Sequence, residues 1–369
     1  VVGQLIYETY ITRHGYVAHF GNPDFPIFYR AAVAMVRGGQ PYGVGEFPFV
    51  YPPSALLLLA PVALVPFKTA SAVFTVLQAA CIASSAVICM RGLGQPLRSS
   101  QTAIAVAGSF AFIATFSTLW TGNPEAPLLL GESLFLYLAS RRRWAWSGLA
   151  LGLTLALKPT MVLVAIVPAV YRRFPSVLLA IAVPVGLSGV SLALSARAAG
   201  YFDRAIPFLL SGEGGKVVGN DSISGTARLV HADPAAPFLV VLLLGLVAWA
   251  LLPHLRHPRE DAATIYVMAS LTVLVMCLAL FSTLHYPLMV LPLLYTVVKR
   301  DSPMRSWTAW VAVAVLGSPD LELWRHGRLI AGTQLRETVG LIMLLVISCL
   351  WLRHEPRLRP DAARQGLHQ

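Results

Sequence analysis

What most constrains this chain is a succession of apolar runs with short basic clusters between them. A transmembrane helix takes about 20 consecutive apolar residues, and the runs at 69–90, 101–120, 176–198, 238–255 and 264–281 reach or approach that length. The clusters include Arg141-Arg142-Arg143, Arg172-Arg173, Arg256 with Arg259, Lys299-Arg300, and the arginines of the tail after 352. Composition agrees: 56% of residues are hydrophobic, 12% are charged, and the mean hydropathy is +0.68. A soluble domain carries about 25% charged residues, so this chain has too little polar surface to cover a globule. The net charge of +11 raises the question of nucleic acid. The basic residues nonetheless fall where the positive-inside rule puts them, in loops, so no nucleic-acid partner is expected.

The pattern predicts an all-α polytopic membrane protein with about ten to eleven transmembrane helices. Residues 1–352 form one domain and 353–369 a basic cytoplasmic tail. Shorter apolar runs lie at 126–140, 144–157, 160–171, 286–298, 307–316 and 339–352. Residues 54–66 are too few to span upright, which leaves a short span or a re-entrant piece. Residues 24–37 read as an amphipathic helix at the interface. Phe25, Phe28, Tyr29, Ala32, Val33 and Val36 form its stripe, Arg30 and Arg37 lie off it, and Gly38-Gly39 ends it. Residues 200–237 form the longest polar loop. The chain opens on Val1 with a weakly apolar stretch, as expected of a first helix cut short. Cys81, Cys89, Cys277 and Cys349 lie inside apolar runs without metal-ligand spacing and read as free thiols.

With the arginine clusters inside, the breaks at 121–125, Lys158, 200–237 and 282–285 all fall on the outer face, together with Asp24. A carboxylate or ammonium beside hydrocarbon is a functional candidate by default. Asp24 suits a general base that removes a proton from a hydroxyl, and equally the N-cap of the helix that follows it. Lys158, flanked by apolar residues and followed by a helix-opening Pro159, suits a phosphate site or a lysine snorkelling to the interface. His285-Tyr286 suits donation to a phosphate, proton transfer, or an interfacial aromatic pair. Asn123 and Glu125 could bind a sugar or cap the next helix. Asn220, Ser222, Ser224 and Arg228 could meet sugar hydroxyls or phosphate, or belong to a solvated loop. The stretch Gly212-Glu213-Gly214-Gly215-Lys216 lacks the spacing of a nucleotide P-loop.

Several short motifs recur in order along the chain. They are Asp24-Phe25 with Phe28-Tyr29-Arg30-Ala31-Ala32, Gly38-Gly39-Gln40-Pro41-Tyr42, Tyr51-Pro52-Pro53 and Leu59-Ala60-Pro61. Gly122-Asn123, Leu157-Lys158-Pro159-Thr160, Asn220-Asp221-Ser222 and His285-Tyr286 follow. The order resembles glycosyltransferase family 87, polytopic enzymes of the GT-C fold that use polyprenyl-phosphate-mannose. The resemblance implies a multi-pass GT-C-type bundle in the cell membrane, that of a bacterium, with its active site on the extracytoplasmic face. It implies Asp24 as catalytic base and Lys158 and His285 at the lipid phosphate, with Arg228 beside them. Arg30, Tyr51, Asn123, Asn220, Ser222 and Tyr286 are the substrate-binding candidates. Gly122-Asn123 departs from the more usual Gly-Gln. The partners implied are a lipid-linked sugar donor, a glycolipid or glycan acceptor and membrane lipids. Neither metal nor other cofactor is expected, because a phosphate leaving group with cations beside it needs none. Mannose is the expected sugar, with a pentose such as arabinofuranose as the alternative. A secondary transporter is the rival class; it predicts inverted repeats, and no such symmetry is visible.

Overall fold

The computed structural model describes residues 24–43, 48–211, 220–280, 282–283, 285–317 and 329–354, and among these it is helical with no strand. The first helix, α1 (Phe25–Val36), has a proline in its first turn, where the missing N–H has no partner to lose. It buries Phe25, Phe28, Ala31, Ala32 and Met35. The buried stripe is therefore rotated from the expected one: Val36 is 52% exposed, and Ala31 and Met35 are inside. The rotation follows the main core, where Ala31, Ala32 and Met35 pack with Phe28, whose ring lies 5.2 Å from that of Tyr51 and 6.2 Å from that of Phe49. Gly38 ends the helix at φ +69°, and Gly39 N donates to Ala34 O (2.7 Å) in the 6→1 bond of a Schellman motif.

Residues 54–66 form α2 (Pro53–Leu59) and a 3₁₀ turn (Ala60–Leu64), a short piece tucked against α1. The next helices are α3 (Phe67–Gly92), α4 (Ser100–Ala111), α5 (Ile113–Thr121), α6 (Glu125–Ser140), α7 (Trp144–Leu157) and α8 (Phe174–Leu194). After a run of short turns come α9 (Ile223–Leu229), α10 (Ala236–Arg256), α11 (Ala262–Ala279), α12 (Trp307–Gly317) and α13 (Leu329–His354). Among the described residues, five helices are long and apolar enough to cross a membrane, and a sixth span arises if α4 and α5, bent by 59°, are counted together. The expected ten to eleven full spans are thus not what these lengths provide. Several of the predicted runs are shorter helices, and 286–298 is broken into 3₁₀, α and 3₁₀ pieces around Pro287 and Pro292. The stretch 200–237 is also less irregular than expected, because it contains the helices Ile206–Leu210 and α9.

Two features fix the geometry around the site. α6 and α7 are joined by a short arginine turn and so pack antiparallel. At 16 residues α6 is about 24 Å long, which separates its Glu125 end from its arginine end by most of a hydrocarbon layer. Arg142 (φ 58°) and Arg172 (φ 56°) turn the chain out of α6 and out of the segment before α8, and Arg143 N and Arg173 N close matching bonds to Leu138 O and Pro168 O (2.8 Å each). Glu260 pairs with Arg142 (3.4 Å) and with Arg173, stitching three basic loops together at that end. α7 approaches α8 across Gly152, where a Cβ would come within 2.8 Å of Leu179 O. The centre of the bundle is α11, buried along its whole length from Ala263 to Leu278. The cysteines are free, three of them buried.

Candidate active site

The site begins where Gly122, at φ +70°, takes the left-handed conformation that closes α5. That turn brings Thr121 O to Asp24 N (2.8 Å) and so docks the start of α1 against the end of α5. Asn123 Nδ2 then donates to Asp24 Oδ2 (3.0 Å), and Tyr51 Oη donates to Asn123 Oδ1 (3.3 Å). Asp24 stands at the N-cap position of α1, yet its side chain makes no capping bond. Of the two readings of this carboxylate, the geometry therefore rejects the cap. Among the described residues Oδ1 accepts no hydrogen bond, which leaves one oxygen anchored and one open. Burial raises the Asp24 pKa above the ordinary carboxylate value, and the Asn123 bond, His285 and Lys158 pull it part of the way back.

Two residues past Asn123, Glu125 opens α6 and is 1% exposed. Across from it, Pro159 forces the preceding Lys158 into extended backbone (φ −144°, ψ 104°), ending α7. That break aims the lysine inward, 7% exposed, where Nζ forms an ion pair with Glu125 Oε1. Lys158 Nζ also lies 3.7 Å from the centre of the Tyr286 ring and 5.8 Å from that of Tyr51, both within cation–π range. His285, also 7% exposed, places Nε2 3.8 Å from Glu125 Oε2, and Thr283 Oγ1 is 3.0 Å from the same nitrogen. Burial is the largest influence on the imidazole and lowers its pKa. Glu125 and Asp24 act in the opposite direction.

The structure thus brings Asp24, Tyr51, Asn123, Lys158, His285 and Tyr286 into one connected cluster at the end of the bundle opposite the arginine turns. The other predicted residues have different places. Asn220 and Ser222, both buried, serve the backbone: Asn220 Oδ1 accepts from Ser222 N and from Ser282 N (3.2 Å each), and Ser222 Oγ caps α9 by accepting from Gly225 N (3.2 Å). With Asp221 N donating to Ser282 O (2.7 Å), they hold the strip that carries His285. In this structure, then, the Asn220 and Ser222 oxygens support the local backbone. Arg228 forms a half-exposed ion pair with Asp233 (3.5 Å), and Arg30 lies on the exposed side of α1 with Nε donating to Pro26 O (3.2 Å). The Gly212 to Lys216 stretch, residues 1–16 and the tail beyond 354 lie outside the described residues. Glu125 is the residue that sequence reasoning left between two roles. The signal was available, since it is an acid opening an apolar run, and only its partners were hidden.

An aspartate with one open oxygen, beside a buried lysine and histidine, is suited to deprotonating a hydroxyl next to a phosphate. The sequence profile of Glycosyltransferase family 87 matches residues 49–283, and the chain belongs to that family. It is a membrane-embedded glycosyltransferase. The matched span includes Tyr51, Asn123, Glu125 and Lys158, while Asp24 lies well before its start at residue 49 and His285 just past its end at residue 283. Curated relatives include an alpha-(1->3)-arabinofuranosyltransferase of Mycobacterium tuberculosis, 29% identical over 90% of this chain and 79% of the relative. A protein of the same name from Corynebacterium glutamicum is 28% identical over 80% of this chain and 72% of its own. A polyprenol-phosphate-mannose-dependent alpha-(1-2)-phosphatidylinositol pentamannoside mannosyltransferase of M. tuberculosis is 25% identical over 86% of this chain and 72% of the relative. No solved structure matches.

Proposed function

We propose that this protein transfers arabinofuranose from a polyprenyl-phosphate donor to a hydroxyl of a glycan or lipid-linked acceptor. The sugar is revised from the mannose expected from sequence. Relatives named as arabinofuranosyltransferases align at 29%, 28% and 24% identity and the mannosyltransferase at 25%, so arabinofuranose is favoured by the number of such relatives and by the two highest identities, and the site itself names no sugar. Asp24 Oδ1 takes the acceptor proton as the acceptor oxygen attacks the anomeric carbon, and attack opposite the phosphate inverts that centre. Lys158 and His285 hold the charge that develops on the departing polyprenyl phosphate. Tyr51 and Asn123 orient the aspartate and line the sugar's approach, and Tyr286 forms the wall beside the lysine. The chemistry needs no metal, because fixed cations already face the leaving group.

The observation that carries this reading is the bridge Asp24–Asn123, with Glu125–Lys158 two residues further on. It supports a reading in which a base and a phosphate-holding cation share one site. The site lies at the end of the helices away from the arginine turns, which supports an extracytoplasmic active site in a multi-pass plasma-membrane protein with a GT-C-type bundle. One polytopic domain over 1–352 and a cytoplasmic tail complete this reading. The test is transfer from polyprenyl-phosphate-arabinofuranose and, separately, polyprenyl-phosphate-mannose by the full chain in nanodiscs, with Asp24→Asn beside wild type. The arabinosyl donor supports transfer, and Asp24→Asn loses at least about 10²-fold in rate while still binding donor. Residual activity within about tenfold refutes the base role.

A further inference from the structure

Glu125 has no place in the mechanism above, although it is the most buried charge in the cluster and the one that faces both basic side chains, Lys158 and His285. One oxygen is held by Lys158, which fixes the carboxylate so that the other, Oε2, faces His285 Nε2 at 3.8 Å. Oε2 is buried without a hydrogen-bond partner. A buried carboxylate oxygen is rarely left so, and an imidazolium that moved about 1 Å would satisfy it with a charge-assisted bond. The groups that face His285 are Glu125 at the start of α6, Lys158 at the end of α7, Asp24 at the start of α1, and the neighbouring Tyr286. With both carboxylates ionised, Lys158 charged and the imidazole neutral, the cluster carries one net negative charge. A polyprenyl-phosphate sugar is a phosphodiester and carries one negative charge of its own. Bringing it into a buried site of the same sign is unfavourable until a proton enters with it.

We propose that Glu125 is a positioning residue that couples donor binding to the uptake of one proton at His285. This rests on the donor reading above. The donor phosphate and Glu125 Oε2 then flank the imidazolium, and the proton has brought the protein's own charges to zero, so the donor's single negative charge no longer meets a site of the same sign. On transfer, the acceptor oxygen bonds to the anomeric carbon and the carbon–oxygen bond to phosphate breaks with its electron pair on the phosphate oxygen. The acceptor proton passes to Asp24. The His285 proton passes to the phosphate, so the lipid product leaves as a monoanion and the imidazole returns to its neutral state. Glu125 touches neither sugar nor phosphate. Its work is to keep the imidazole oriented and to make the empty site one charge too negative for the donor.

The test is calorimetric binding of a short-chain polyprenyl-phosphate-arabinofuranose to the full chain in nanodiscs, in two buffers of different ionisation enthalpy and over a pH series. Wild type takes up close to one proton per donor on the alkaline side of the imidazole's titration, and Kd there weakens about tenfold per pH unit. Glu125→Gln binds donor with little proton uptake and a flat pH profile, because the site no longer carries the extra charge. Its kcat falls at least about tenfold through loss of the proton delivered to the phosphate, and Glu125→Asp restores part of both. His285→Gln, with Glu125 intact, also loses the uptake and serves if Glu125→Gln does not fold. Wild-type proton uptake in Glu125→Gln or in His285→Gln overturns the proposal, as does wild type that binds and transfers without any uptake. A wild-type protein that binds no polyprenyl-phosphate sugar overturns the donor reading and this proposal together.

Discussion

Replacing Lys158 by methionine is the sharpest probe of how the site is held. The lysine and Glu125 are 7% and 1% exposed, so removing the ammonium leaves a carboxylate in a place with almost no water. Breaking a buried pair from one side costs about 3–5 kcal/mol, whereas removing both charges with side chains of similar volume is close to neutral. The cation–π contact with Tyr286, at 3.7 Å, is lost as well and contributes about another 1–2 kcal/mol when desolvated. At roughly 2 °C per kcal/mol for a chain of this size, Lys158→Met lowers the thermal midpoint by about 8–14 °C. Lys158→Met combined with Glu125→Gln recovers most of that loss and still fails to transfer sugar, which separates folding from chemistry. Tryptophan fluorescence of the nanodisc-embedded protein during heating supplies the midpoints for a double-mutant cycle. A coupling energy below about 0.5 kcal/mol would refute the buried pair, since independent sites add to within that margin.

Two further outcomes follow from the titrating groups. Asn123 holds the Asp24 carboxylate in its ionised form, so Asn123→Ala raises an already raised pKa. The acid limb of kcat/KM moves to higher pH in the variant, and an unmoved limb would show that Asn123 does not act on Asp24. Asp221 is 1% exposed, and burial pushes its pKa up to about 7 from 3.8. A folded-state value above the unfolded one means that the protonated acid is the stabilised form. Its contribution is whole below about pH 4 and is lost as pH rises to about 7, amounting to about 4 kcal/mol at most. Thermal midpoints therefore fall across that window in wild type and stay flatter in Asp221→Asn; parallel profiles would remove Asp221 as the cause.

Much of the molecule was legible from residue types alone, because hydrocarbon penalises each charge where it stands. Asp24, Lys158 and His285 drew notice on that ground, and all three meet in the site. The ends of α6, α7 and α11 agree with the apolar runs to within a few residues, because the arginine turns and prolines that stop them are local signals. Composition was enough to place the chain in a membrane. Pairings across the chain were not legible. Glu125 meets Lys158 across 33 residues, and Asp24 meets Asn123 across 99. No pattern within a helix encodes which acid faces which base, and capping remained an equal reading of Asp24 until Asn123 was seen to hold it. The buried face of α1 was displaced from the predicted stripe because Ala31 and Met35 pack with Phe28 and Phe49 in the main core. α9 exists because Thr338 reaches Thr226 Oγ1 (2.6 Å) and Asp221 O (2.7 Å), anchoring a seven-residue helix too short to stand alone. The sequence by itself determined that polar groups must gather somewhere out of the lipid. Only the packing of distant helices decided which of them meet, since that depends on contacts no local stretch contains.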